Sequence, residues 1–408
     1  MRPLSFAALL LCTLSLHADS WPRFRGPNGE GRSDLKGVPS TWSESDLAWT
    51  VNLPGKGHSC PVIWEDALFV TTGGEDGSRT LLCLDANTGE ERWQVTQKYA
   101  ASHLHQKNSY ASGTPATDGE HVVVAFADEQ HYVVTAYSMK GEQLWTNDLG
   151  GFNSQHGQGV SPIIYKGMAI VPNDQWGPSD YVAFDVKTGK EIWKSDRKFV
   201  KTSYATPMIL NVKGQDQIIS LSGGVGLAGI DPANGKQLWA TGELPQRTVA
   251  SPVASQDGQL IGVCGQGGRG VLMIHVDPTG SGDVSGTHIK ATRETAIPYV
   301  PTPIIQDHYM YLWNDSGIVC CVDLAGDLSE NVWQERVGGN FSGSPILIDG
   351  RLFCISEDGE VVVVKASPQY ELLGKTALGD PSYSTPSVAN GRVYFRTFHK
   401  LICLKAKS

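Results

Sequence analysis

No stretch of this 408-residue chain is a run of basic residues, and its 33 Lys and Arg are outnumbered by 42 Asp and Glu, a net charge of −9. That balance argues against nucleic acid as a partner, since phosphate binding needs clustered cations. Past the first residues, no apolar run approaches the ~20 residues that cross a bilayer as a helix. No Cys-x-x-Cys pair occurs, which excludes a finger- or ribbon-type zinc site. Seven cysteines follow the N-terminal stretch, an odd number, mostly inside apolar runs such as "LLCL" and "RLFCIS". They read as buried thiols acting as small hydrophobes.

The chain opens "MRPLSFAALLLCTLSLHADS". Arg2 gives a short positive start, Leu4 to Leu16 an apolar stretch, and Ala18 a small residue at a cleavage point. This reads as a signal peptide over residues 1–18, so the mature chain is expected to be periplasmic or secreted. Leu11 before Cys12 does not suit a lipoprotein motif.

What the chain has in quantity is glycine (46), proline (22) and tryptophan (11). They fall into a repeat. "DANTGEERW" ends at Trp93, "YSMKGEQLW" at Trp145, "DVKTGKEIW" at Trp193 and "DPANGKQLW" at Trp239, with Gly89, Gly141, Gly189 and Gly235 four residues before each Trp. Each copy follows an apolar run and reads as a β-hairpin, with Asp bonding turn N–H groups and Gly taking the positive φ. A small residue followed by Pro is a second marker, at Cys60, Thr114, Ser161, Thr206, Ser251, Thr302, Ser344 and Thr385, at intervals of 54, 47, 45, 45, 51, 42 and 41 residues. Four strands every 40–50 residues predict an all-β, eight-bladed β-propeller of four-stranded blades. The last copy has three strands, and "LAWTVNLPG" from Leu47, with Trp49 in the Trp slot, supplies the fourth. Closing the ring this way leaves no free sheet edge. Expected boundaries are a strap segment over 19–46 and the propeller over 47–408. The fifth copy lacks its Trp, the sixth has a longer turn before Trp333, and the seventh ends "YELLGKTALG".

The D-x-x-x-G-x-x-x-W phrase with its Ser-Pro inner strand resembles the pyrroloquinoline quinone (PQQ)-type repeat of the quinoprotein-like propellers, from about Trp49 to Lys405. "WPRFRGPNGEG" and "HQKNSYASGTP" resemble the secreted PQQ-binding-like β-propeller repeat proteins. The resemblance implies a fold shared by quinoprotein alcohol dehydrogenases and by the propeller subunit of the outer-membrane assembly machinery, and so leaves function open.

In such a ring the loops entering the innermost strands form a funnel. The residues before each Pro marker are therefore the candidate ligand-binding ring: His58, Tyr110, His156, Gln158, Tyr204, Arg247, Tyr299, Asn340, Phe341 and Tyr383. Aromatic rings with an Arg suit a planar or anionic ligand. The plainer reading is that these side chains plug the channel and bond ordered water. Cys320-Cys321 invites comparison with the vicinal disulfide of quinoprotein dehydrogenases, but within a strand adjacent side chains face opposite sides. The calcium set of Glu, Asn and Asp that the resemblance implies has no counterpart here. "GQGGRG" at Gly265 precedes another strand, not a helix, and reads as a blade hairpin. "GHSCP" at Gly57 has Pro61 where a nucleophile elbow needs Gly. "HLH" at His103–His105 has no further clustered ligand.

The reading is a secreted or periplasmic, non-enzymatic β-propeller scaffold, monomeric and without a cofactor or a catalytic residue, binding a protein, peptide or glycan at the funnel face. The alternative is a PQQ-dependent oxidoreductase with calcium, in which Arg247 and the aromatic ring hold the quinone. A glycan hydrolase ranks last, because inner positions supply few carboxylates.

Overall fold

The computed structural model describes residues 20–101, 104–198 and 201–407; the expected signal peptide and His103 lie outside the described residues. The chain folds into eight separate sheets, each built on four antiparallel strands from innermost to outermost, two of them with a fifth strand added in parallel. The blades span residues 62–98, 116–148, 163–197, 208–240, 253–293, 304–336, 346–377 and 387–405. The eighth has three strands of its own and is completed by Leu47–Asn52, which pairs antiparallel with Lys400–Lys405 through Trp49↔Cys403. The closing strand is therefore the one the Trp49 slot predicted.

Within a blade the second and third strands are apolar on both sides, as in Phe69–Cys83 and Leu352–Val364, because each sheet is sandwiched between two others. Outer strands alternate, as in Glu91–Lys98, because one side meets water. No helix longer than the three-residue 3₁₀ turn Glu44–Asp46 occurs among the described residues, and no helix is long and apolar enough to cross a membrane.

The repeated phrase has a double duty. Gly89, Gly141, Gly189 and Gly235 adopt φ of +78°, +84°, +70° and +73°, the left-handed region the turn requires. Each also lies under the Trp of the preceding blade: a Cβ added to Gly189 would stand 2.6 Å from Trp145, and one on Gly235 2.5 Å from Trp193. The indole N–H then bonds a carbonyl of that same turn, Trp49 to Ala86 (3.3 Å), Trp145 to Val186 (2.7 Å) and Trp193 to Pro232 (2.8 Å). So the Trp wedges one blade onto the next, and the Gly is the slot that receives it.

The irregular copies have structural substitutes. In the fifth blade the stretch between the third and fourth strands crosses to the fourth blade, where Gly282–Asp283 pairs parallel with the Trp239 strand. Trp239 accordingly bonds Gln217 of its own blade at 2.8 Å. At the seventh blade the strap contributes Trp42, stacked on Phe395 at 5.1 Å and 13°.

Candidate functional site

The residues before the marker prolines form a belt in which seven of the eight steps are bridged by a hydrogen bond. The backbone N–H of Cys60 bonds the Thr114 hydroxyl, Thr114 bonds Ser161, Thr206 bonds Ser251, Ser251 bonds Thr302, Thr302 bonds Ser344 and Ser344 bonds Thr385, all at 2.9–3.1 Å. Thr385 closes back on the Cys60 sulfur at 3.4 Å. A small hydroxyl at this slot is thus dictated by the neighbouring blade, whose buried N–H needs an acceptor.

At one mouth of the channel lies the strap. The backbone of Trp21 exchanges two bonds with Ile63 of the first blade (2.8 and 2.9 Å), and the Asn28 side chain bonds both backbone groups of Ile209 in the fourth. The Arg23 guanidinium donates to the Pro207 carbonyl. Arg25 donates to Pro345 at 2.7 Å and Pro303 at 3.3 Å, and within the strap to Gly29 and Glu30, both at 3.2 Å. Arg32–Ser33 then continues as a parallel strand on the innermost strand of the seventh blade. Arg25 is fully buried and Arg23 nearly so; burial pulls their guanidinium groups down, to about 10 and about 9, which leaves both charged at neutral pH.

At the other mouth the predicted ring divides. One group centres on His156: Arg247 Nη1 lies 2.7 Å from its Nδ1 and 3.0 Å from its Nε2, with Arg247 Nη2 on Gln155 at 2.8 Å. Tyr204 meets the same imidazole edge-on at 5.9 Å, and His105 stands 4.7 Å away. The segment following the expected metal-poor "HLH" runs across this mouth. Asn108 donates to the carbonyls of His156 and Gln158 (2.6 and 3.1 Å), and Lys107 reaches Glu357 of the seventh blade at 2.7 Å. Gln158 is buried and caps Val160 at 2.7 Å.

The second group centres on His58, buried between Tyr383 (4.9 Å) and Phe398 (5.1 Å), with Ser112 3.4 Å from Nδ1. Burial holds the imidazole well below its ordinary value, and the nearby charges of Arg396 and Lys56 add to this. The other four members of the ring have these surroundings, with Tyr299 close enough to Arg247 and Tyr204 to feel their charge. Tyr110 lies under the Arg79 guanidinium at 3.7 Å, and Tyr299 is buried with its backbone N–H on Asp315 at 2.8 Å. Phe341 is fully buried edge-on to Trp313, while its neighbour Asn340 is exposed.

Sequence reasoning missed Lys56, Arg79, Lys107, Glu357, Arg396 and Phe398. Most lie on strands or on turns between second and third strands, away from the marker loops, where the only hint was charge inside "SRTLLCL" and "FRTF". The mouth thus carries these cations together with carboxylates, among them Glu357, Asp128 and Asp315. A cavity beside it, between Tyr110, Asp128, Phe152 and Gln158, holds about 50 Å³. That is far below the roughly 300–1,000 Å³ of small-molecule sites.

Cys320 and Cys321 do not form the vicinal pair that the quinoprotein comparison raised. Cys320 packs with Val263 and Leu312 between the fifth and sixth blades, whereas Cys321 packs with Leu352 and Val362 between the sixth and seventh. Both are free thiols, pushed up by burial to about 11 and about 12. Among the described residues no three of His, Cys, Asp and Glu converge as a metal would need. "GQGGRG" is the expected hairpin, turning at Gly267 and Gly268 between strands Leu260–Gln266 and Arg269–Val276.

The family model described as outer membrane protein assembly factor BamB matches residues 43–196 and 103–334. Polyvinylalcohol dehydrogenase of a Pseudomonas species is 26% identical over 210 residues, covering 48% of this chain and 31% of that protein. Outer membrane protein assembly factor BamB of Shewanella oneidensis is 23% identical over 291 residues, covering 69% of this chain and 65% of that one. The chain therefore spans about a third of the first relative's length and just under two thirds of the second's. Among solved structures, quinohemoprotein alcohol dehydrogenase of Comamonas testosteroni superposes with a TM-score of 0.69 at 13% identity, over 96% of this chain and 81% of that one. At that identity the likeness is one of fold.

Proposed function

Because the chain belongs to the family described as outer membrane protein assembly factor BamB, we propose that it is a non-enzymatic propeller scaffold of the cell envelope, periplasmic or secreted, which holds a protein partner at its funnel face. One observation carries this reading: segments of the chain reach across the ring at both mouths. The strap crosses one end through Arg23 and Arg25, and the loop bearing Lys107 bridges the other to Glu357. Recognition is thereby moved from an internal cavity to the rim.

The rim has the chemistry for it. Trp176 is 42% exposed at the tip of a turn whose backbone is tied to Asn153 of the funnel loops at 2.8 Å. An exposed Trp is the kind of anchor that dominates protein interfaces. At the same mouth Lys56, over the Phe398 ring, and Arg247 favour an acidic, extended segment of the partner. A peptide or glycan is served by the same surface, and the protein partner is preferred because the family's described role is in assembly.

The test has two arms. A photo-crosslinking residue at position 176, compared with one at the outer Leu372, is expected to give a defined envelope-protein adduct only from the funnel side. Titration of the chain with PQQ, with and without Ca²⁺, is expected to leave tryptophan fluorescence unchanged. Saturable calcium-dependent binding with dye reduction by alcohols would establish the oxidoreductase reading instead.

A further inference from the structure

The strap's contacts have an unusual chemistry. Arg23 and Arg25 are buried cations, and no carboxylate of the described residues pairs with either. Their partners across the ring are all backbone carbonyls of one repeated position, the marker prolines Pro207, Pro303 and Pro345. These three prolines belong to the fourth, sixth and seventh blades, so the same repeat position presents an oxygen to the channel from separate sides. Proline has no N–H to spend, and these carbonyls are not used in the sheet ladders, which begin one residue later at Met208, Ile304 and Ile346. A planar guanidinium with five donors suits several convergent carbonyls; an ammonium, with its compact, strongly hydrated charge, suits them less.

We propose that this mouth of the channel is a guanidinium-recognition site, built from the marker-proline carbonyls, and that residues 21–33 are its peptide ligand, held in cis. The site reads more than charge. Asn28 makes a two-way bond with Ile209, Gly31 accepts from Leu347 at 2.7 Å, and Gly31 has φ +68° with the Arg25 guanidinium packed where a Cβ would stand. Arg-Gly-Pro-Asn-Gly-Glu-Gly is therefore a recognition sequence, not a passive tail. Covalent attachment raises the local concentration of such a segment to roughly millimolar, so even weak recognition is kept filled. The proposal is independent of what binds at the funnel face.

The experiment is chemical rescue in the full chain. Arg25→Ala should lower the melting temperature, and methylguanidinium at millimolar concentration should raise it again with saturation. Methylammonium at the same ionic strength should not, and neither should shift the wild type upward. Equal responses of variant and wild type to methylguanidinium would overturn the proposal. Should Arg25→Ala not fold, a protease site inserted after the exposed Lys36 serves in the otherwise unchanged chain. After cutting, the fragment ending at Lys36 should stay bound through gel filtration and exchange with a labelled synthetic copy. Its immediate loss would count against recognition.

Discussion

His58 illustrates how one residue can be legible in position and not in character. Its place before the first marker proline put it in the funnel, but not that Tyr383, Phe398, Arg396 and Lys56 would surround it. Those neighbours give a pH dependence. The folded imidazole lies below its unfolded value of about 6.5. As pH falls through that value the unfolded chain takes up the proton first, so stability present above it is lost below. His58→Asn, which keeps a polar group facing Ser112, should make the fall in melting temperature between pH 7 and pH 5 shallower. A residual slope is expected, because His275 is also held low, by burial and then by Lys290. An unchanged slope would mean that His58 does not titrate with unfolding. The marker residues are a second case. A small residue before Pro was readable as a period, but its reason, a hydroxyl for the previous blade's N–H, joins residues 41–54 positions apart and leaves no local trace. Thr302→Val would strand the buried Ser251 N–H and should cost about 1–3 kcal/mol in urea unfolding. Thr302→Ser should cost little.

At the scale of elements, the hairpin phrase was read correctly as a turn signal, and the Trp as a wedge. Their coupling was hidden because Gly and Trp of one phrase do not touch: the Gly meets the Trp of the phrase before. The paired substitutions Gly189→Ala and Gly167→Ala separate the two demands on glycine. Both positions have positive φ, +70° and +77°. Nothing lies within 4 Å of a Cβ at Gly167, whereas one at Gly189 falls 2.6 Å from Trp145. Gly167→Ala should therefore cost about 1 kcal/mol from backbone conformation alone. Gly189→Ala should cost about 2–4 kcal/mol, since overpacking adds to it. Equal losses in denaturant titration would show that the indole yields freely. The same coupling explains the fifth blade. Without its own Trp phrase it lends Gly282–Asp283 to the outer edge of the fourth, a strand whose two residues carry no periodicity a sequence could display.

For the whole molecule, the closing strand decides where the ring is weakest. Neighbouring blades are covalently continuous all the way round, because Leu47–Asn52 completes the eighth blade and leads directly into the first. The seam is thus inside the eighth blade, a backbone ladder from Leu47↔Leu404 to Asn52↔Lys400, not an apolar face. A ladder is registered and directional, so it closes the ring in one way only. The strap guards it from outside: Lys407 N–H bonds Gly37 at 2.9 Å, its ammonium reaches Asp46 at 3.0 Å, and Trp42 covers Phe395. That the first strand completes the last blade was legible from the three-stranded last copy and from Trp49 in the Trp slot. The path of the strap was not, because its partners are carbonyls and carbonyls have no signature. If the seam is the weakest point, Trp49→Ala should cost about 2–4 kcal/mol, somewhat less than a fully buried Trp. Its effect on amide exchange should be uneven: faster first at 47–52 and 387–405, with the central strands of the third blade still protected. Trp193→Ala, at an interface without a seam, should instead speed exchange in the third and fourth blades. A uniform rise for Trp49→Ala would mean that the ring unfolds as a single unit, with the ladder as strong as any wedge.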